Sequence, residues 1–242
     1  LGRIIGISFL IPLIYFYFKI GFQLIKSFLI IFILICFQGF FGWYMVTSGL
    51  VDRVDVSHFR LSIHLVVAFI ILSLILWNYL IFSELRKSNH QISQILPFIF
   101  LFLIFIQITI GAFVAGMDAG KIYNTWPLMG ESYFPDDSIY KNIFSISAFS
   151  DPSLVQFMHR NLAYVILLSY FYIFFYIYKK KKYDLYKIIN LIGFFLFLQI
   201  ILGVITLING AQIITSSMHQ ISSIFLVSSS IYFIYLNFNQ RP

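Results

Sequence analysis

The sequence predicts an all-α polytopic membrane protein, and three observations carry that prediction. Of its 242 residues, 60% are hydrophobic and only 10% charged, where a soluble domain carries about 25% charged residues. Apolar runs of roughly 18 to 25 residues recur along the whole chain, the length a helix needs to cross a hydrocarbon core. The runs are continuous rather than alternating, which selects helices over a β-barrel. The formal charge of +7 does not point to nucleic acid, because the basic residues cluster in short connections, where they report topology. Cys36, the single cysteine, lies inside an apolar run and leaves no intrachain disulfide or CxxC metal site.

Seven spans are expected, at about 1–18, 27–46, 58–82, 93–115, 154–178, 187–208 and 213–236, separated by polar, charged or Gly/Pro breaks. Lys19 and Lys26 flank the first connection, and Asp52, Arg53 and Asp55 lie in the second. Arg86 and Lys87 sit in the third. The fourth is a loop of about 38 residues from Gly116, holding Asp118, Glu131, Asp136, Asp137 and Asp151 against Lys121 and Lys141. Lys179, Lys180, Lys181, Lys182 and Lys187 fill the fifth. Positive connections stay inside, so the odd connections face the cytoplasmic side and the even ones face out. Residues 1–92 form an N-terminal half-bundle, and residues 93–242 a C-terminal one that includes the outer loop 116–153.

Three histidines then fall at one depth. His64, His159 and His219 each lie about six or seven residues into a span that runs inward, roughly 9–10 Å along the helix. Ionisable residues inside spans are costly and default to a functional role. His90, in a polar inner connection, and His58, at the outer edge, need no role beyond facing water.

A shift of 161 positions lays Lys180 on Lys19, Lys187 on Lys26, Gln199 on Gln38, Gly203 on Gly42 and Gly210 on Gly49. Polar residues and glycines are scarce in such spans, so these matches define a parallel repeat. His219 falls six residues short of His64, which a shorter outer loop before it explains. Under the same shift Leu162 meets Leu1, and the counterpart of His159 would lie three positions upstream of residue 1. The chain opens on leucine with no recognisable signal peptide. The expectation is therefore a fragment of a protein with eight spans, two pseudo-symmetric four-helix halves and two histidines in each half.

Two level histidines on neighbouring helices of a bundle are what a bis-histidine haem requires, with imidazole nitrogens binding iron from opposite faces. Arg160, beside His159, suits a haem propionate. Three alternatives stay open at this point: histidines merely packed and hydrogen-bonded in the bundle, a dihaem b-type electron-transfer protein, and a transporter whose histidines bind protons or substrate. Bare-ion sites fare worse, because no carboxylate or thiol lies near these histidines.

Gln38/Gly42, Gln107/Gly111 and Gln199/Gly203 share one spacing. Close helix packing through small residues is the plainer explanation, and a cofactor passing nearby the sharper one. The four lysines at 179–182 read as a topology signal more than a lipid patch. Asp118 sits in a polar, Gly- and Pro-containing loop long enough to lie over the outer mouth of the bundle.

With these residues in view, the chain resembles the haem A synthase family, in the subtype shared by mitochondria and alpha-proteobacteria. The resemblance spans essentially all 242 residues and is most specific in QGFFGWYMVTSGL (38–50), VSHFRLSIHL (56–65), GAFVAGMDAGKIYNTWPLMG (111–130), QFMHRNLAY (156–164) and MHQ (218–220). It implies an eight-helix pseudo-twofold bundle that oxidises one methyl group of haem O to the formyl group of haem A, through a hydroxymethyl intermediate. It implies that His159 and His219 bind a haem b cofactor and that His64 is one of two histidines framing the substrate haem. The other belongs to a His-Arg motif upstream of an LGR, and this chain begins Leu1-Gly2-Arg3. On that reading the chain as given is inactive. Further implications are haem O synthase and an unnamed electron partner, lipid contact, and room for a homo-oligomer. The location implied is the bacterial cytoplasmic or mitochondrial inner membrane, with the histidines toward the outer side.

Overall fold

A computed structural model describes residues 2–49, 56–83, 85, 88–89 and 92–238. Asp52, Arg53, Asp55, Arg86, Lys87 and His90 lie outside the described residues. Among the described residues there are seven long helices: α1 (Gly2–Ile20), α2 (Phe22–Gly49), α3 (His58–Phe82), α4 (Ile95–Gly116), α5 (Pro152–Lys179), α6 (Tyr186–Ile208) and α7 (Ile213–Asn237). All seven are long and apolar enough to cross a membrane, and no strand occurs among the described residues. This is the all-α polytopic membrane fold the sequence predicts.

The first connection differs from expectation. The sequence suggests a break from Lys19 to Lys26 between the first two spans, but α1 ends at Ile20 and α2 begins at Phe22. Gly21 alone makes the turn, at φ 82°, a conformation that costs glycine little and other residues more. Lys26 therefore rides on α2. The start of α5 follows local rules closely: Asp151 accepts hydrogen bonds from the backbone N–H of Ser153 (3.0 Å) and Leu154 (3.1 Å), and Pro152 fills the first helical position.

The chain divides into two compact units, Leu1–Glu84 and Leu85–Pro242. In the first, α2 packs against both α1 and α3. Ser27 Oγ donates to Asn78 Oδ1 at 2.7 Å, and Phe28 stacks on Phe82. In the second, α4 meets α5 and α7, and α6 meets α5 and α7, so four helices close into a ring with α5 and α7 on opposite corners. Phe100, Ile177, Ile189, Ile192, Val227 and Phe233 fill its interior. Outward-facing apolar residues such as Phe102, Leu168, Phe175 and Phe194 are exposed, as helices bathed in lipid require. Cys36 is exposed in the same manner on α2.

At one end of the second unit, the segment before α4 is strapped to the end of α7. Ile92 N–H donates to Asn237 Oδ1 (2.8 Å), Asn237 Nδ2 donates to Ile92 O (3.0 Å), and Ser88 N–H donates to Leu236 O (3.1 Å). Asn89 N–H adds a bond to Asp184 Oδ2 at 2.9 Å. At the other end lies the long loop between α4 and α5, built on short 3-10 turns at Ala119–Lys121, Tyr140–Phe144 and Ile146–Ser150. Ala119, Met129 and Ala148 anchor it by burial.

Candidate functional site

The histidines sit at matched positions in their helices. His64 is six residues beyond His58, the start of α3; His159 is seven beyond Pro152 on α5; His219 is six beyond Ile213 on α7. His159 and His219 lie on α5 and α7, the opposite corners of the four-helix ring. His64 belongs to the other unit, so the structure brings together His159 and His219 and describes His64 with its own neighbours.

Each histidine faces the same apparatus on the preceding helix. Across the α2–α3 hairpin, Gln38 Nε2 donates to the backbone oxygen of His64 at 2.8 Å. A Cβ added to Gly42 would stand 3.1 Å from His64 Cε1. Across α4–α5, Gln107 Nε2 donates to His159 O at 3.0 Å, and a Cβ on Gly111 would stand 3.0 Å from His159 Cε1. Across α6–α7, Gln199 Nε2 donates to His219 O at 2.9 Å, and a Cβ on Gly203 would stand 3.1 Å from His219 Cε1. An i, i+4 spacing puts both residues of each pair on one helix face. The glycines thus do more than ease helix packing: each one seats an imidazole edge. Sequence reasoning finds the three pairs and misses their partners.

The rings themselves are half-buried, and the Nδ1 of all three histidines is buried without a hydrogen-bond partner. Gln107 Nε2 lies 3.3 Å from His159 Nε2. A histidine that merely packs in a core satisfies its ring nitrogens, whereas these leave a buried Nδ1 without a partner. Among the described residues no three His, Cys, Asp or Glu side chains converge on a metal-ion site. A planar guest ligated from two sides fits such a donor set better than a bare ion.

Arg160 turns to the long loop. Its Nη1 donates to Thr125 O (2.9 Å) and Leu128 O (3.1 Å), and its Nη2 to Tyr123 O (2.9 Å). Gln156 Nε2 reaches the same Tyr123 oxygen at 3.0 Å. Arg160 Nε is buried and unpaired. Asp137 fastens the loop a second time, accepting from Ser153 Oγ (2.7 Å) and Tyr123 OH (3.0 Å). Burial pushes the Asp137 carboxyl up, but bonds from Ser153, Tyr123 and Ser138 stabilise its charged form and hold it below the ordinary carboxylate value. Burial and the bond to Asp137 in turn raise the Tyr123 hydroxyl. Asn124 Nδ2 ties the loop to the end of α6 through Leu207 O at 2.8 Å. Asp118 stands in the left-handed region at φ 53° and pairs with Lys121 at 2.9 Å, both exposed. His58 begins α3, half-buried with its ring against Phe59.

Fold and site define a class: an integral membrane bundle of helix hairpins, each offering one histidine seated on a glycine. Comparison with known proteins narrows it. A family of cytochrome oxidase assembly proteins matches residues 1–231. Heme A synthase of Pelagibacter ubique is 44% identical over 241 residues, covering 99% of this chain and 71% of that protein. Heme A synthases of Rickettsia bellii (43% over 241 residues, 94% of this chain, 70% of that protein) and Flavobacterium johnsoniae (40% over 245 residues, 96% and 70%) are similar in the same way. The chain belongs to this cytochrome oxidase assembly family.

Proposed function

We propose that the protein is a haem A synthase, an oxidoreductase that converts the methyl group of haem O to the formyl group of haem A for cytochrome oxidase biogenesis. The observation that carries the reading is His159 and His219, at matched offsets in the helices on opposite corners of a four-helix ring, each with a buried Nδ1 that has no hydrogen-bond partner. These two residues would hold a haem b cofactor through its iron. His64, seated alike on Gly42, frames the substrate haem. Bound there, haem b would supply electron transfer.

What the chain's own residues do follows from their contacts. The helix hairpins set the histidines in register, the apolar bundle keeps water from them, and Arg160 draws the long loop onto α5 one residue beyond His159. Haem O would come from haem O synthase, and the oxidation needs an external electron acceptor. The connection with four successive lysines, Lys179 to Lys182, would lie on the cytoplasmic side and the histidines toward the outer face.

Pigment analysis tests this on protein purified from cells that supply haem O, beside His159→Ala and His219→Ala. Haem B together with haem O or A in the wild type, with haem B lost in both variants, is the expected result. Two haem B per chain with no haem O or A would make the protein a dihaem electron carrier. A colourless wild type would remove the haem reading altogether.

A further inference from the structure

We infer that Gln38, Gln107 and Gln199, each with the glycine one helical turn beyond it, are positioning residues that set the height and ring plane of the histidine across their hairpin. The inference rests on the haem reading above and extends it from the histidines to the residues packed against them.

Three hairpins repeat one arrangement although their connections differ greatly: residues 50–57, 117–151 and 209–212. In each, an amide Nε2 lies 2.8–3.0 Å from the backbone oxygen of the histidine and of no other residue in that turn. A backbone oxygen inside a helix already accepts the N–H four residues on, so this bond is not needed to satisfy the carbonyl. What it adds is a fixed axial and rotational setting of one helix against the other, at the residue that presents the ligand. The glycine then sets the ring. In all three cases the atom nearest to an added methyl carbon would be the imidazole Cε1, at 3.0–3.1 Å, with Nδ1 and Nε2 farther off. Packing glycines chosen only for close helix approach have no reason to meet the same ring atom three times. In the α4–α5 hairpin the device reaches the ring itself, through Gln107 Nε2 at 3.3 Å from His159 Nε2. Second partners exist: Ser222 Oγ also donates to His219 O at 3.0 Å.

Two opposite perturbations separate positioning from mere stability. Gly203→Ala raises helix propensity, so a packing role at an open position predicts an equal or more stable helix. The positioning role predicts that the added methyl pushes the His219 ring aside. Gln199→Leu keeps the bulk and removes the donor; Gln199→Glu, neutral in an apolar setting, can still donate from its carboxylic acid.

The experiment uses full-length protein carrying its haem and reads thermal unfolding, haem B retention on dilution, and the EPR g-anisotropy of the low-spin haem. That anisotropy depends on the angle between the two axial imidazole planes. Gln199→Leu and Gly203→Ala should keep wild-type unfolding temperatures within a few degrees, yet lose haem about 10- to 100-fold more readily and show altered g-values. Gln199→Glu should restore both. Gln107→Leu carries the same test against His159 if Gln199→Leu does not fold. Wild-type g-values and retention in every folded variant would overturn the inference while leaving the haem reading intact. Absence of haem B from the wild type would overturn the haem reading, and the inference with it.

Discussion

Arg160 has two candidate duties, and they can be separated at the level of the single residue. It follows His159 directly, which invites a bond to a haem propionate, yet its two terminal nitrogens serve three loop carbonyls. A lysine ammonium lacks the rigid fork that spreads over three acceptors. Hydrogen bonds to charged groups contribute about 1.5–3 kcal/mol each, so Arg160→Lys should weaken the local closure of 123–128 by about 1–3 kcal/mol. Hydrogen exchange should then quicken across those amides while haem B stays bound. If instead the variant loses haem and its loop exchanges as in the wild type, Arg160 belongs to the propionate. At this scale the histidines were legible, because an ionisable residue stands out in an apolar span. The Gln/Gly pairs were legible too, but not which histidine each one meets. The separations run 42 to 64, 111 to 159 and 203 to 219, so no fixed spacing links glycine to histidine. The usable signal is depth: in an antiparallel hairpin, residues equally far from the turn meet.

Among the elements, the spans were legible from apolar run length, and their ends were not always so. Lys19 and Lys26 suggested a connection, but a helix carries a lysine at its membrane boundary without breaking, and Gly21 suffices for the turn. The long loop was visible as a polar interval with a specific sequence block, but its internal structure was not. Its folded form depends on bonds between distant positions, such as Ser153 to Asp137 and Arg160 to Tyr123, which no local pattern encodes. Asp137 gives that element a pH dependence. Its carboxyl is held below the ordinary value of 3.8, so the folded loop favours the charged form. The stabilisation is present above that value and is lost as pH falls through the lower folded pKa. Asp137 is exposed, which keeps the effect small. Hydrogen exchange at successive pH values, corrected for intrinsic rates, should show the segment around Tyr123 and Ser153 loosening at acid pH. In Asp137→Asn it should be looser at neutral pH and respond less to acid.

For the molecule as a whole, the consequential quantity is orientation in the membrane. Lys179, Lys180, Lys181 and Lys182 sit at the end of α5 remote from His159, whereas Asp118, Asp136, Asp137 and Asp151 share the long loop at the other end. Basic residues in short connections stay on the cytoplasmic side, while acidic residues carry little topological weight, so the lysines carry the argument. They predict that the long loop, and with it the histidine-bearing ends of α5 and α7, lies on the outer side. Cys36 is the sole cysteine and lies on an exposed face of α2, so Cys36→Ser gives a background free of thiols. In that background, Asp118→Cys should react with a membrane-impermeant maleimide added to intact cells or right-side-out vesicles. Lys181→Cys should react only after permeabilisation. The reverse pattern would invert the bundle and put the histidines at the cytoplasmic face. Labelling of both from outside would mean that α5 does not span. That last outcome would break the ring of four helices, since α5 holds both its neighbours, and the pairing of His159 with His219 would fall with it.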